Sequence, residues 1–194
     1  MKHKKMENNI SSNDIDVLIK FLKKKPKLTN GKKVLEFEKK WSKWLGVKYS
    51  VFVNSGSSAN LLTILILKIL KGKGEVIVPT LTWVSDISSV IQNNLKPVFV
   101  DINPKNLCMS EKDIISKINK KTIAVFLSHI QGFNGLSSSL INYLKKNNIM
   151  LIEDVCESHG ATFNKKKLGT YGKISNFSFY YAHHMSTIEG GMIC

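Results

Sequence analysis

Arginine is missing altogether: the 29 basic side chains among 194 residues are all lysine, against 14 acidic ones, for a formal charge of +15. A surplus of that size ordinarily points to nucleic acid or an anionic membrane surface. Arginine, however, supplies the planar fork that reads phosphates and bases. Its absence, beside abundant Asn and Ile, reads as the compositional bias of an AT-rich gene, so neither nucleic acid nor a membrane is expected as a partner. Cysteine is scarce as well. Cys108, Cys156 and Cys194 form an odd set without CxxC spacing, which argues against a disulfide framework or a zinc site and fits a reducing, cytoplasmic setting. No metal is expected. The apolar run from Leu61 to Leu70 is interrupted by Lys68 and is too short to span a bilayer. The basic start MKHKKMENN leads into polar residues rather than an apolar stretch, so it is not a secretory signal, and its His3 is expected on a mobile terminus. Neither GxGxxG nor GxxxxGK[ST] occurs, which leaves dinucleotide and P-loop readings without a motif.

What is present is a regular alternation. With 43% hydrophobic and 22% charged residues the chain can bury one substantial core. Helical spacing is expected over residues 14–24, stopped before Pro26, and over 33–45, where Val34, Phe37, Trp41, Trp44 and Leu45 recur and Gly46 follows. Beyond these, short apolar runs at 49–53, 75–78, 98–100, 123–127, 150–152 and 175–179 read as strands. The stretches 58–70, 84–93, 110–118 and 136–147 between them read as helices. Such alternation predicts an α/β domain with a mostly parallel sheet, because parallel neighbours need crossover connections.

In sheets of this kind the ligand crevice lies beyond the carboxyl ends of the strands. The residues there are Asn54-Ser55-Gly56-Ser57-Ser58-Ala59-Asn60, Pro79-Thr80-Leu81-Thr82-Trp83, Glu153-Asp154-Val155-Cys156-Glu157-Ser158-His159-Gly160, and Ser178-Phe179-Tyr180-Tyr181-Ala182-His183-His184. Small residues and hydroxyls at a helix start suit a phosphate, although a plain N-cap accounts for the same residues. Trp83 could stack on a flat ring or pack in the core. Asp154 could hold a pyridine nitrogen protonated, or cap a loop.

Taken together these segments resemble the DegT/DnrJ/StrS sugar aminotransferase family of pyridoxal 5'-phosphate (PLP) enzymes. The likeness runs from about Leu28 onward through Gly31-Lys32-Lys33-Val34-Leu35-Glu36-Phe37-Glu38, Pro97-Val98-Phe99-Val100-Asp101, Ile152-Glu153-Asp154, His159-Gly160-Ala161 and Glu189-Gly190-Gly191. It implies the aspartate-aminotransferase-like fold (PLP fold type I) with helices on both faces of the sheet. A helical extension is expected at 1–27 and the PLP-binding large domain at 28–194, stopping before a C-terminal small domain. By the same resemblance Gly56, Ser57 and Ser178 take the cofactor phosphate, Trp83 stacks on its ring and Asp154 pairs with the ring nitrogen.

The sequence then departs from the family. Amino-transferring relatives read roughly Ser-Phe-x-x-x-Lys, and that lysine forms the Schiff base. Here the position is His183, and no lysine follows Lys173. Imidazole forms no stable Schiff base but is a competent general base near neutral pH. Tyr181-Ala182-His183-His184 resembles the family's sugar 3-dehydratase branch, above all the members acting on GDP-linked sugars, which use pyridoxamine 5'-phosphate (PMP). The resemblance implies removal of the 3-hydroxyl from a nucleotide-linked 4-keto-6-deoxysugar, in deoxysugar and O-antigen synthesis. It further implies His183 as catalytic base, glutamate as amino donor, a homodimer, and Glu157 facing the cofactor's ring hydroxyl where aminotransferases have Gln. His184 is expected as a structural neighbour, His159 beside the phosphate end, and His129 either in the cleft or in the core. Three alternatives stay open: an aminotransferase of the same family, an inactive fragment, and the dehydratase branch with an iron-sulfur cluster, for which Cys156 would be a first ligand.

Overall fold

The computed structural model describes residues 10–194; residues 1–9, with the basic start and His3, lie outside the described residues. Six helices and nine strands follow in the order α1 (Ser12–Lys23), α2 (Lys32–Leu45), β1 (Val51–Val53), α3 (Gly56–Lys71), β2 (Glu75–Pro79), α4 (Val84–Gln92), β3 (Lys96–Val100), α5 (Glu111–Lys117), β4 (Thr122–Ser128), α6 (Ser138–Lys146), β5 (Met150–Asp154), β6 (Thr162–Phe163), β7 (Lys166–Lys167), β8 (Ile174–Ser178) and β9 (Gly191–Ile193). The expected strands and helices are all found, with their ends moved by a few residues. Strand β5 runs on past Ile152 to Asp154, so the carboxylate is held by the sheet ladder rather than by a loop. The hairpin of β6 and β7 was not foreseen, since two-residue strands rich in lysine carry no alternation.

Seven strands form one sheet in the order β1-β9-β8-β5-β4-β2-β3. Strands β3, β2, β4, β5 and β8 pair in parallel. Strand β9 is antiparallel to both β8 and β1, so β1 points the same way as the parallel set. Side chains alternate across the sheet, as a period of two requires. Val76, Val78, Ala124, Phe126 and Ile152 face α3 and α4 and pack with Ile64, Leu67 and Val90. Ile77, Val125, Leu127, Leu151 and Phe177 face the other way and pack with Trp41 of α2, Ile114 of α5 and Leu140 and Leu144 of α6. Burial on both faces explains why these strands read as continuous apolar runs. Each fully buried large side chain such as Phe126 or Phe177 contributes about 1.5–3 kcal/mol.

Two helix ends set the frame. Gly46 closes α2 with φ +89, a left-handed conformation that glycine adopts without strain. Ser11 opens α1 with a capping box shared with Asp14, yet α1 buries no residue. Trp44, expected on the packed face of α2, is instead 39% exposed, with the Lys167 ammonium lying over its ring.

Candidate active site

Five strands of the same direction, β1, β2, β4, β5 and β8, bring their carboxyl ends to one edge of the sheet, and the loops beyond them enclose a cavity of about 1090 Å³. Gly56, Ser57, Trp83, Asp154, Glu157, Ser178 and His183, singled out from four separate segments of sequence, all line this one cavity. No lysine does.

The floor is the start of α3. Ser55 N-caps the helix, its Oγ accepting from Ser58 N at 3.1 Å. By helix geometry the amides of Gly56 and Ser57 have no carbonyl one turn back to bond, and the helix dipole adds partial positive charge there. Glycine at 56 is a packing requirement. A Cβ would meet Ser178 Cβ at 2.7 Å, Ser178 Oγ at 3.1 Å and Cys156 Sγ at 3.2 Å, so only a bare Cα lets α3 approach β8 this closely. Free amides beside the Ser57 and Ser178 hydroxyls make a cradle for a dianion.

Asp154 ends β5, nearly buried. Its Oδ1 accepts from Cys156 N at 2.9 Å and its Oδ2 from Asn60 Nδ2 at 3.0 Å. Trp83 N-caps α4 at the rim and is 69% exposed, leaving its ring face open to a planar ligand. The Glu157 carboxylate accepts from Gln131 N at 3.0 Å and so ties the loop after β5 to the loop after β4. Gln131 holds φ +49, unusual for a residue with a side chain.

His183 is partly buried in the loop after β8, its backbone N–H donating to Tyr180 O at 3.0 Å. Burial lowers its pKa from the ordinary histidine value; the Glu157 and Asp154 carboxylates pull it upward without restoring it, and His184 adds to the lowering. The imidazole is therefore neutral, and able to accept a proton, over a wider range than a free histidine. His184 shares the cavity wall. His159 does not: it packs against Trp41, Phe177 and Phe179 beneath the histidine loop, with its ring 6.1 Å from that of His183, and lies next to the Ser178 backbone.

His129 borders the cavity with its ring turned inward, 1% exposed. Gly135 N donates to its Nδ1 at 3.2 Å, and its Nε2 donates to Glu153 at 3.1 Å. Glu153 also accepts from the amides of Gly169, Tyr171 and Gly172. Burial alone would raise the pKa of this carboxyl, but His129 and those amides outweigh it and hold the pKa low. His129 is thus part of the core that braces β4 and β5. The three thiols lie apart: Cys156 beside Gly56, Cys108 near Phe133 and Cys194 against Ser50. Among the described residues no group of three His, Cys, Asp or Glu side chains is arranged to hold a metal ion.

Sequence reasoning gave no role to the polar layer behind Asp154. Asn60 donates to Ser85, Asp86 and Asp154. Its own Oδ1 accepts from Asn176, which in turn accepts from Thr63. The signal available was a cluster of Ser, Asp and Asn on the buried faces of α3 and α4, where apolar residues are the rule.

Fold and site together define an α/β protein with a seat for a phosphorylated, nitrogen-containing aromatic ring at the carboxyl edge of its sheet. The chain belongs to the DegT/DnrJ/EryC1/StrS aminotransferase family, which it matches over residues 8–194. It is 37% identical over 171 residues to GDP-4-keto-6-deoxy-D-mannose 3-dehydratase of Yersinia pseudotuberculosis, a match covering 85% of this chain and 43% of that protein. To GDP-perosamine synthase of Vibrio cholerae it is 38% identical over 165 residues, covering 85% of this chain and 45% of the other. A solved GDP-4-keto-6-deoxymannose 3-dehydratase with a trapped PLP-glutamate geminal diamine superposes with a TM-score of 0.91 at 34% identity, over 99% of this chain and 51% of that one. The fold is accordingly the aminotransferase-like large domain expected from the motifs, and the chain spans about half the length of the relatives it matches.

Proposed function

We propose that this chain is the cofactor-binding large domain of a PLP/PMP-dependent 3-dehydratase acting on a nucleotide-linked 4-keto-6-deoxysugar in the cytoplasm, as a homodimer with glutamate as amino donor. The observation that carries the reading is the cavity wall itself, which His183 shares with Asp154 and to which no lysine among the described residues contributes. Overall identity does not separate a dehydratase from the synthase, since the two relatives score within one percentage point of each other. The chemistry of position 183 does.

The residues fit the cofactor. The α3 amides with Ser57 and Ser178 hold the phosphate, Trp83 covers the ring, Asp154 pairs with the ring nitrogen and Glu157 faces the ring hydroxyl. When bound, the cofactor supplies an electron sink that lets a hydroxyl leave the carbon beside the sugar's keto group. Asp154 keeps the ring nitrogen protonated, and so maintains that sink. His183, neutral near pH 7, moves the proton at the cofactor's C4' carbon. Lacking a lysine tether, the site would hold its cofactor by non-covalent contacts, through the phosphate cradle, Trp83, Asp154 and Glu157.

Borohydride reduction of the chain with PLP, followed by intact-mass measurement and peptide mapping, tests the central point. Only substoichiometric labelling spread over exposed lysines is expected; a stoichiometric reduced PLP adduct on one lysine of this chain would establish the aminotransferase reading instead. With PLP, glutamate and GDP-4-keto-6-deoxymannose the expected products are 2-oxoglutarate, ammonia and a 3-deoxy-4-keto sugar, whereas a 4-amino sugar would sink the proposal.

A further inference from the structure

Behind the cavity wall two carboxyls meet with no cation beside them. Asp86 of α4 is fully buried and Asp154 of β5 nearly so, and one amide nitrogen, Asn60 Nδ2, lies within hydrogen-bond distance of both carboxyls and holds them side by side. Among the described residues neither forms an ion pair with a lysine. Asp86 Oδ2 is bonded by the hydroxyls of Thr82 and Ser128, which also contact each other at 2.9 Å. Asp86 Oδ1 accepts from Asn60 Nδ2 at 2.6 Å, and the same amide nitrogen reaches Asp154 Oδ2 at 3.0 Å. Asn60 cannot turn its oxygen toward them, because that oxygen is occupied by Asn176 Nδ2 at 2.8 Å.

Two carboxyls in contact and out of water cannot both be ionised; one proton is held between them. We propose that Asp86 carries that proton at neutral pH and is a positioning residue, hydrogen-bonding Asp154 and fixing how Asp154 presents its carboxylate to the ring nitrogen of the cofactor. This rests on the reading that the cavity seats PLP or PMP. Burial pushes the Asp86 carboxyl well above its ordinary range, and the Asp154 charge and hydrogen bond push it further; the Ser128 and Thr82 hydroxyls only partly offset this. The other titratable groups within reach of the pair are the Cys156 thiol, which burial and the Asp154 charge keep protonated, and, on the Asp154 side, the His159 and His183 imidazoles, both of which burial keeps from protonating readily. A second carboxylate at this point would compete with Asp154 for the ring's positive charge. A neutral acid gives a hydrogen bond without that competition.

Infrared difference spectroscopy of the full chain in D2O at neutral pH, before any cofactor is added, reads the proton directly. A protonated-carboxyl carbonyl band is expected in the wild type and in Asp154→Asn, and its loss is expected in Asp86→Asn. PLP titration followed by absorbance then reads the positioning. Asp86→Asn, which mimics a protonated acid in shape and hydrogen bonding, should bind PLP within about threefold of wild type. Asp86→Val, lacking any polar atom, should bind roughly tenfold more weakly, the scale of one lost hydrogen bond to a charged group. The pH midpoint of ring-nitrogen protonation in bound PLP should also fall, which a merely structural defect would not cause. No carbonyl band in the wild type, or an Asp86→Asn variant as defective toward PLP as Asp154→Asn, overturns the proposal. A wild-type band with no PLP binding by any form would leave the shared proton standing and overturn both the cofactor reading and the positioning role. If Asp86→Asn does not fold, 13C-aspartate labelling of the wild type decides: one carboxyl resonance remaining at the protonated position at neutral pH supports the proposal, and none overturns it.

Discussion

Burial lowers the pKa of His183 while the Glu157 carboxylate, the larger of two opposing charges, raises it. Removing that charge should therefore lower the imidazole pKa further. In Glu157→Gln the NMR titration of the His183 ring should move to lower pH, and the acid limb of any proton-transfer rate with it; a shift upward would contradict the placement of Glu157 beside the base. His159 carries the larger consequence for stability. Burial first, then the His183 and His184 charges, lower its pKa from the usual 6.5 to about 4, while the Ser178 backbone pulls it upward without meeting hydrogen-bond geometry. The folded state thus binds a proton less readily than the unfolded chain. The stability held by neutral His159 is complete above about pH 6.5 and is lost as pH falls toward about 4, by up to roughly 3 kcal/mol. Urea unfolding at stepped pH should show this slope, and His159→Phe, which suits an aromatic cage, should flatten it. His183 was legible in the sequence because its place is counted from Ser178-Phe179. Asp86 was not, since a buried acid on an amphipathic helix looks locally like any polar residue until folding brings it to Asp154.

At the scale of elements, the strand ends were the most legible feature and the tight contacts between elements the least. Every strand of the parallel set was marked by an apolar run, and the residue types just beyond each run identified the crevice. Gly56 shows what spacing leaves out. Its place at a helix start was visible, but the reason for glycine, a Cβ-to-Cβ approach of 2.7 Å to Ser178, exists only once α3 lies against β8. Gly56→Ala should push the first turn of α3 away from β8. PLP affinity should fall roughly tenfold or more, as the amides and the Ser178 hydroxyl no longer converge on one phosphate, each charge-assisted bond being strong. Far-UV circular dichroism should change little, because alanine favours the helix itself. Unaltered PLP binding would show that the cradle lies elsewhere. Strand β9 runs antiparallel to β8, a direction that an apolar run of three residues cannot reveal.

For the molecule as a whole, the sheet is covered on both faces but α3 is covered on only one. Leu61, Leu62, Leu65, Ile66, Ile69 and Leu70 along α3 are each between 37% and 74% exposed. Soluble monomers rarely leave so continuous an apolar surface bare. The run from Leu61 to Leu70, read in the sequence as part of a helix and too short for a membrane, is long enough for both a core face and a second contact face. No helix among the described residues is long and apolar enough to cross a membrane. An exposed apolar face of this kind fits a protein surface, in keeping with the proposed dimer. Sedimentation velocity of the chain should show concentration-dependent association. Leu65→Glu with Ile69→Glu, one turn apart on the exposed side of α3, should shift the chain toward monomer without loss of helix, since neither residue belongs to the packed set of Ile64 and Leu67. A wild-type chain that stays monomeric at the highest attainable concentration would remove the dimer from the functional proposal, while leaving the cavity and its histidine untouched.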